Sequence, residues 1–76
     1  MTKFQKEIMD KFPNLEFGID THYKCLNFAW GDFAEIIQIK EDNSIRYFGV
    51  GVESCDLSKE KCFKILKTHH LLSNFQ

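Results

Sequence analysis

The sequence predicts an α+β fold: an N-terminal helix, an antiparallel sheet of three or four strands, and a C-terminal helix, with both helices on one face of the sheet. Three observations carry this expectation. Apolar residues recur at helical spacing before Pro13 and again after Ser58, they alternate with a period of two between Leu15 and Glu53, and the links between the alternating runs are too short for parallel crossovers.

The first helix is announced by Thr2 with Gln5 three residues later, the spacing of a capping box, in which each residue satisfies a backbone N–H of the other. Phe4, Ile8, Met9 and Phe12 then fall on one helical face, while Lys3, Lys6, Glu7, Asp10 and Lys11 take the other. Pro13 lacks an N–H and disfavours helical dihedrals at the residue before it, so the helix is expected to stop by residue 11 or 12. From there Leu15, Phe17 and Ile19 alternate with polar residues or glycine, and Leu26, Phe28 and Trp30 alternate with Cys25, Asn27 and Ala29, giving two strands separated near Asp20-Thr21. Gly31-Asp32 is a turn signal, Phe33 to Lys40 reads as a third strand, and Glu41-Asp42-Asn43-Ser44 turns the chain into a fourth from Ile45 to Glu53. Asp56 or Ser58 can cap the second helix, with Cys62, Phe63, Ile65, Leu66 and His69 inward and Lys61, Lys64, Lys67 and Thr68 outward. The tail Ser73-Asn74-Phe75-Gln76 is expected to fray.

Seventy-six residues form one domain, residues 1–76, and 43% hydrophobic content with eight Phe is enough for a core without metal or disulfide. Cys25, Cys55 and Cys62 are an odd number without dense spacing, which points to free thiols in a reducing, cytoplasmic setting. Neither a signal peptide nor an apolar run of membrane-spanning length is expected. Net charge is −1, without the basic excess of a nucleic-acid binder. Its distribution is uneven: residues 14–56 sum to −5 and residues 57–76 to +3.

Alternation that sends Leu26, Phe28, Trp30, Phe48, Val50 and Val52 toward the helices sends Tyr23, Cys25, Ala34, Ile36, Ile45 and Tyr47 to the other side. That side is more apolar than solvation requires, so it reads as a contact surface. Gly49 and Gly51 belong to the same stretch and suggest a bulge, since a dinucleotide fingerprint would need a third glycine and a following helix.

Residues for chemistry are scattered. His22-x-x-Cys25, Cys55, Cys62, His69 and His70 lack the paired spacing of a zinc site, and Cys62 and His69 stand two helical turns apart. No cofactor is expected. Cys/His pairs lack any encoded third group to orient a base, and phosphate loops and serine elbows are absent, so a non-enzymatic protein is expected.

The order α-β-β-β-α, followed by Ser58-Lys59-Glu60-Lys61-Cys62-Phe63-Lys64 at the start of the last helix, resembles in outline the double-stranded-RNA-binding domain. The resemblance implies nucleic-acid contact through Lys61, Lys64 and Lys67. Glu60, Phe63 and the eight acids between residues 14 and 56 depart from that pattern, which makes such contact the alternative reading. The principal expectation is a protein-interaction domain that docks on the basic surface of a larger protein or nucleoprotein complex. Tyr23, Ile36 and Tyr47 would be its anchors and Glu35, Glu41 and Asp42 its charged surroundings. Size and charge make a small inhibitor of the phage anti-defence type, such as an anti-CRISPR, its most specific form. A homodimer through the open sheet face is the third expectation. If Tyr47 lies on that face, Tyr47→Ala should weaken binding and leave stability unchanged.

Overall fold

A computed structural model of the chain describes residues 1–31 and 34–73. The elements run α1 (Lys3–Lys11), β1 (Gly18–Asp20), β2 (Cys25–Trp30), β3 (Glu35–Ile39), β4 (Ile45–Gly49), β5 (Val52–Asp56) and α2 (Lys59–Ser73). The fold is α+β, with a five-stranded antiparallel meander in the order β1-β2-β3-β4-β5. The expected three or four strands are corrected to five, because the stretch Ile45 to Glu53 is not one strand. Gly51, at φ +74°, adopts a conformation that L side chains rarely adopt, and Val50-Gly51 becomes a two-residue hairpin link. The α-β-β-β-α order behind the double-stranded-RNA-binding resemblance is thereby lost.

Both helices begin as their sequences dictate. Thr2 Oγ1 accepts from the Gln5 N–H at 3.1 Å and Gln5 Oε1 accepts from the Thr2 N–H at 2.9 Å, closing the capping box. Phe12 ends α1, its N–H donating to the Ile8 carbonyl at 3.2 Å. Ser58, rather than Asp56, caps α2: its Oγ accepts from the Lys61 N–H at 3.2 Å.

The turns show local chemistry of the same kind. Asp20 accepts the N–H groups of both His22 and Tyr23 at 3.0 Å and holds the β1–β2 loop. Between β3 and β4, the Asn43 N–H donates to the Lys40 carbonyl, Asn43 takes φ +69°, and the Lys40 N–H donates to the Ser44 carbonyl. This is a turn closed by a left-handed residue, which Asn tolerates well. The Phe33 start of the third strand, Asp32 of the preceding turn, and Asn74, Phe75 and Gln76 lie outside the described residues. Ala34 precedes β3 at φ +47°.

One hydrophobic core joins Phe4, Ile8 and Phe12 of α1 and its cap, Leu26, Phe28, Ile37, Ile39 and Ile45 of the sheet, and Cys62 and Leu66 of α2. The strand members are cross-strand partners, Leu26 with Ile39, Phe28 with Ile37 and Ile39 with Ile45, so they share one side of the sheet. Ile37 pairs with Tyr47, which therefore belongs to the same side. The expected β4 phase is thus inverted: Ile45 and Tyr47 point to the core, and Phe48 pairs with Ile36 on the opposite side. Between Tyr47 and Gly49 the pairing with β5 shifts by one residue, the irregularity that the strand glycines suggested.

Candidate functional site

The six residues expected to form one contact surface separate into two groups and a lone residue, Ile36. Glu35 and Tyr47 come together on the core side, where the Tyr47 hydroxyl donates to Glu35 Oε1. Tyr47 also stacks on Trp30 at 6.0 Å between ring centroids and 12° between planes, and Trp30 stacks on Phe28 at 5.5 Å. His69 of α2 closes the cluster, 4.8 Å from Trp30 and 5.5 Å from Phe28. The hydrogen bond to Glu35, partial burial and the nearby Glu35 charge push the Tyr47 phenol above its usual ionisation range. Tyr47 is therefore a packing residue, and its placement on an exposed contact surface is corrected. Ile36 is on the side first expected, half-buried beside Phe48.

Tyr23, Glu41 and Asp42 do converge. They line a shallow depression of about 810 Å³ together with Cys25, Gln38 and Lys40. A neighbouring cleft of about 460 Å³ runs between Met1, Thr2 and Gln5 on one wall and Ile19, Asp20, Thr21, Lys24 and Leu26 on the other, sharing Cys25 and Glu41 with the first. An ion pair at 3.9 Å between Lys24 and Glu41 lies within this region, between two well-exposed side chains. Large exposed apolar side chains line both: Met1 at 61% and Ile19 at 52% the cleft, and Tyr23 at 70% the depression. The cleft and the depression adjoin through Cys25 and Glu41, and their charged lining is Asp20, Glu41 and Asp42 against Lys24 and Lys40.

The start of α1 fixes this end of the sheet. Gln5 is only 2% exposed, and its Nε2 donates to the carbonyls of Lys24 at 3.0 Å and Ile39 at 2.9 Å. One side chain thus ties the helix to the last residue of the β1–β2 loop and to the end of β3. Thr2 Oγ1 adds a bond to Asn43 Oδ1 at 3.2 Å in the β3–β4 turn. Within that turn Asp42 Oδ1 accepts from the Ser44 hydroxyl at 2.6 Å and the Ser44 N–H at 2.9 Å. Those hydrogen bonds, with help from nearby Lys40, hold the Asp42 carboxyl below its usual range, so it remains anionic into acid.

Lys61, Lys64 and Lys67 are exposed on α2 as expected. Lys59 lies 4.5 Å from the centre of the Phe4 ring, and Lys11 4.7 Å from that of Phe63, so two other cations are engaged with aromatic faces. Among the described residues no group of three or more His, Cys, Asp or Glu could hold a metal ion. Cys25 and Cys62 are buried and Cys55 is exposed; burial pushes the Cys62 thiol up to about 11. Among the described residues no helix is long and apolar enough to cross a membrane.

Sequence reasoning missed Met1 and Ile19 as surface residues and Gln5 as the residue that ties α1 to this end of the sheet. Ile19 alternates as a core residue would, but β1 is a three-residue edge strand and leaves it half-exposed. The chain matches no protein-family model, no curated protein and no solved structure.

Proposed function

We propose that this chain is a non-enzymatic protein-interaction domain whose contact surface is formed by Met1, Ile19 and Tyr23 with Asp20, Glu41 and Asp42. The convergence of Tyr23, Glu41 and Asp42 on one depression, beside two further exposed apolar side chains, carries the reading. An exposed aromatic within an acidic border suits a partner surface rich in Lys or Arg. There the aromatic provides the desolvated anchor, and the carboxylates steer the encounter. Both helices cover one side of the sheet in this reading, supported by the single core cluster they share with the inward strand residues. Ile36 and Phe48 on the other side widen the available contact area.

The most specific form is a cytoplasmic inhibitor of a larger nucleic-acid-handling complex, of the phage anti-defence kind such as an anti-CRISPR. A basic groove built for nucleic acid is a surface to which the acidic segment of this domain, residues 14–56, would bind. Contact with nucleic acid through Lys61, Lys64 and Lys67 is the second reading, favoured by their exposure along one helix.

Affinity capture from a lysate of the organism that encodes the chain, with and without nuclease, tests both. The expected result is a stoichiometric protein partner that survives nuclease, is lost with Tyr23→Ala/Glu41→Gln and is kept with Lys61→Gln/Lys64→Gln/Lys67→Gln. Loss of every partner on nuclease treatment, or loss only in the lysine variant, would instead favour the helix reading.

A further inference from the structure

Two exposed surfaces of this molecule carry exposed apolar side chains and differ in charge: at the first Asp20, Glu41 and Asp42 outnumber Lys24 and Lys40, and at the second lysines prevail. The first is the end of the sheet already described, with Met1, Ile19 and Tyr23 bordered by Asp20, Glu41 and Asp42. The second is the outward face of α2. Lys61, Lys64, Lys67 and Thr68 are exposed there, and the row continues into Leu71 at 49% exposure and Leu72 at 56%. Lys64, Lys67 and Leu71 are spaced at i, i+3 and i+7 and so share a face, which makes the helix cationic along its length and apolar toward its end.

An apolar inward face and a polar outward one would be ordinary for a surface helix, but two adjacent exposed leucines are not needed for solvation. Among the described residues the two surfaces share no lining residue and no ion pair. No α2 residue lines either depression, and among the described residues none of the ion pairs involves Lys61, Lys64 or Lys67.

We propose that the outward face of α2 docks on the Tyr23/Glu41 surface of a second copy of the same chain, placing Lys64 and Lys67 against the acidic border and Leu71 and Leu72 against Met1, Ile19 and Tyr23. The inference rests on the reading of the Tyr23/Glu41 end as a docking surface and names an occupant for it. The contact is heterologous, since each copy offers a different patch, so association does not stop at a dimer unless the rotation closes. It is also salt-dependent, because the charges that meet are solvent-exposed: the screening length is about 20 Å at about 0.02 M salt and falls to about 3 Å at 1 M. Occupation of the acidic surface by another copy would compete with a host partner.

Sedimentation velocity over a concentration series tests this. At low salt the weight-average mass should rise above the 9.0 kDa monomer with concentration, and at about 1 M salt it should fall back toward the monomer. Tyr23→Ala/Glu41→Gln and Lys64→Gln/Lys67→Gln should each remain monomeric. Their equimolar mixture should form 1:1 dimers and nothing larger, because only one productive pair of surfaces survives; the neutral replacements keep the two disabled surfaces from attracting each other. All four positions are exposed, and matching thermal melts will verify that both variants fold. A wild-type chain that stays monomeric up to about 1 mM at low salt overturns the inference. So does a dimer that persists in both variants, which would place self-association on the open sheet face. If self-association is absent while Tyr23→Ala/Glu41→Gln still loses a host partner, this inference falls and the interaction reading stands.

Discussion

Replacing Gln5 should unfasten the end of the sheet that carries the proposed surface. Its side chain makes two donor bonds, to the Lys24 and Ile39 carbonyls, and accepts one from the Thr2 N–H. A buried hydrogen bond contributes about 0.5–1.5 kcal/mol net, and an orphaned buried carbonyl costs about 1–3 kcal/mol, so Gln5→Ala should destabilise by roughly 2–4 kcal/mol. At about 4–8 °C per kcal/mol for a domain of this size, the melting temperature should fall by roughly 10–25 °C. Gln5→Met separates bonding from packing, because it restores most of the volume and none of the bonds. Gln5→Glu adds a pH signature. A carboxylate at this position faces two carbonyl oxygens, whereas its protonated form regains one donor, so its folded pKa rises above the unfolded value of about 4.3. The native state then holds more protons than the unfolded one between those two values. The deficit of Gln5→Glu relative to wild type should therefore be smallest below about pH 4.3 and grow as pH rises through the folded pKa. Urea unfolding followed by the fluorescence of Trp30, the single tryptophan, reads all three variants. Stability of Gln5→Met within about 0.5 kcal/mol of wild type, together with a pH-independent deficit in Gln5→Glu, would refute the role given to these bonds.

Four further outcomes are expected. Tyr47→Ala should lower the melting temperature clearly while Tyr23→Ala leaves it nearly unchanged, and equal effects would contradict the β4 register. Tyrosinate absorbance should show Tyr47 ionising above its ordinary value of 10, a delay that Glu35→Ala shortens; because its folded pKa is raised, the stability it contributes is present below pH 10 and lost as pH rises through the folded value. Asp42 has the opposite sign: its folded pKa is lowered, so its contribution is present above pH 3.8 and lost as pH falls through the folded value, and Asp42→Asn should flatten acid unfolding in that range. A thiol reagent should label Cys55 rapidly, with Cys25 and Cys62 protected until the chain unfolds; rapid labelling of Cys62 would contradict its burial.

The helices were legible because their signals are redundant. Thr2, Gln5 and Pro13 bracket α1, and Ser58 with the Cys62/Leu66 spacing sets α2. The phase of β4 was not legible, because Ile45, Tyr47, Phe48, Val50 and Val52 supply apolar residues to both faces. Three members in one phase outweigh two in the other only if the strand continues past Val50, and the positive φ of Gly51 ends it there. Local alternation cannot find such a break; Gly51 as the second residue of a two-residue link was the available signal. One anchor of the contact set, Tyr47, fell with that phase. Tyr47 turned inward to meet Glu35, whereas Tyr23, Glu41 and Asp42 held together because they belong to turns, whose position at the ends of strands does not depend on strand phase. Gln5 was legible as a capping residue but not as a tie between two hairpins, since its partners lie 19 and 34 residues away.

The most direct measurement is hydrogen exchange on the purified complex of the chain with its captured partner, compared with the free chain. Binding through the proposed surface predicts added protection at residues 19–24 and 40–44 and little change along residues 61–68. Protection concentrated on residues 61–68, with the two turns exchanging as in the free chain, would contradict it.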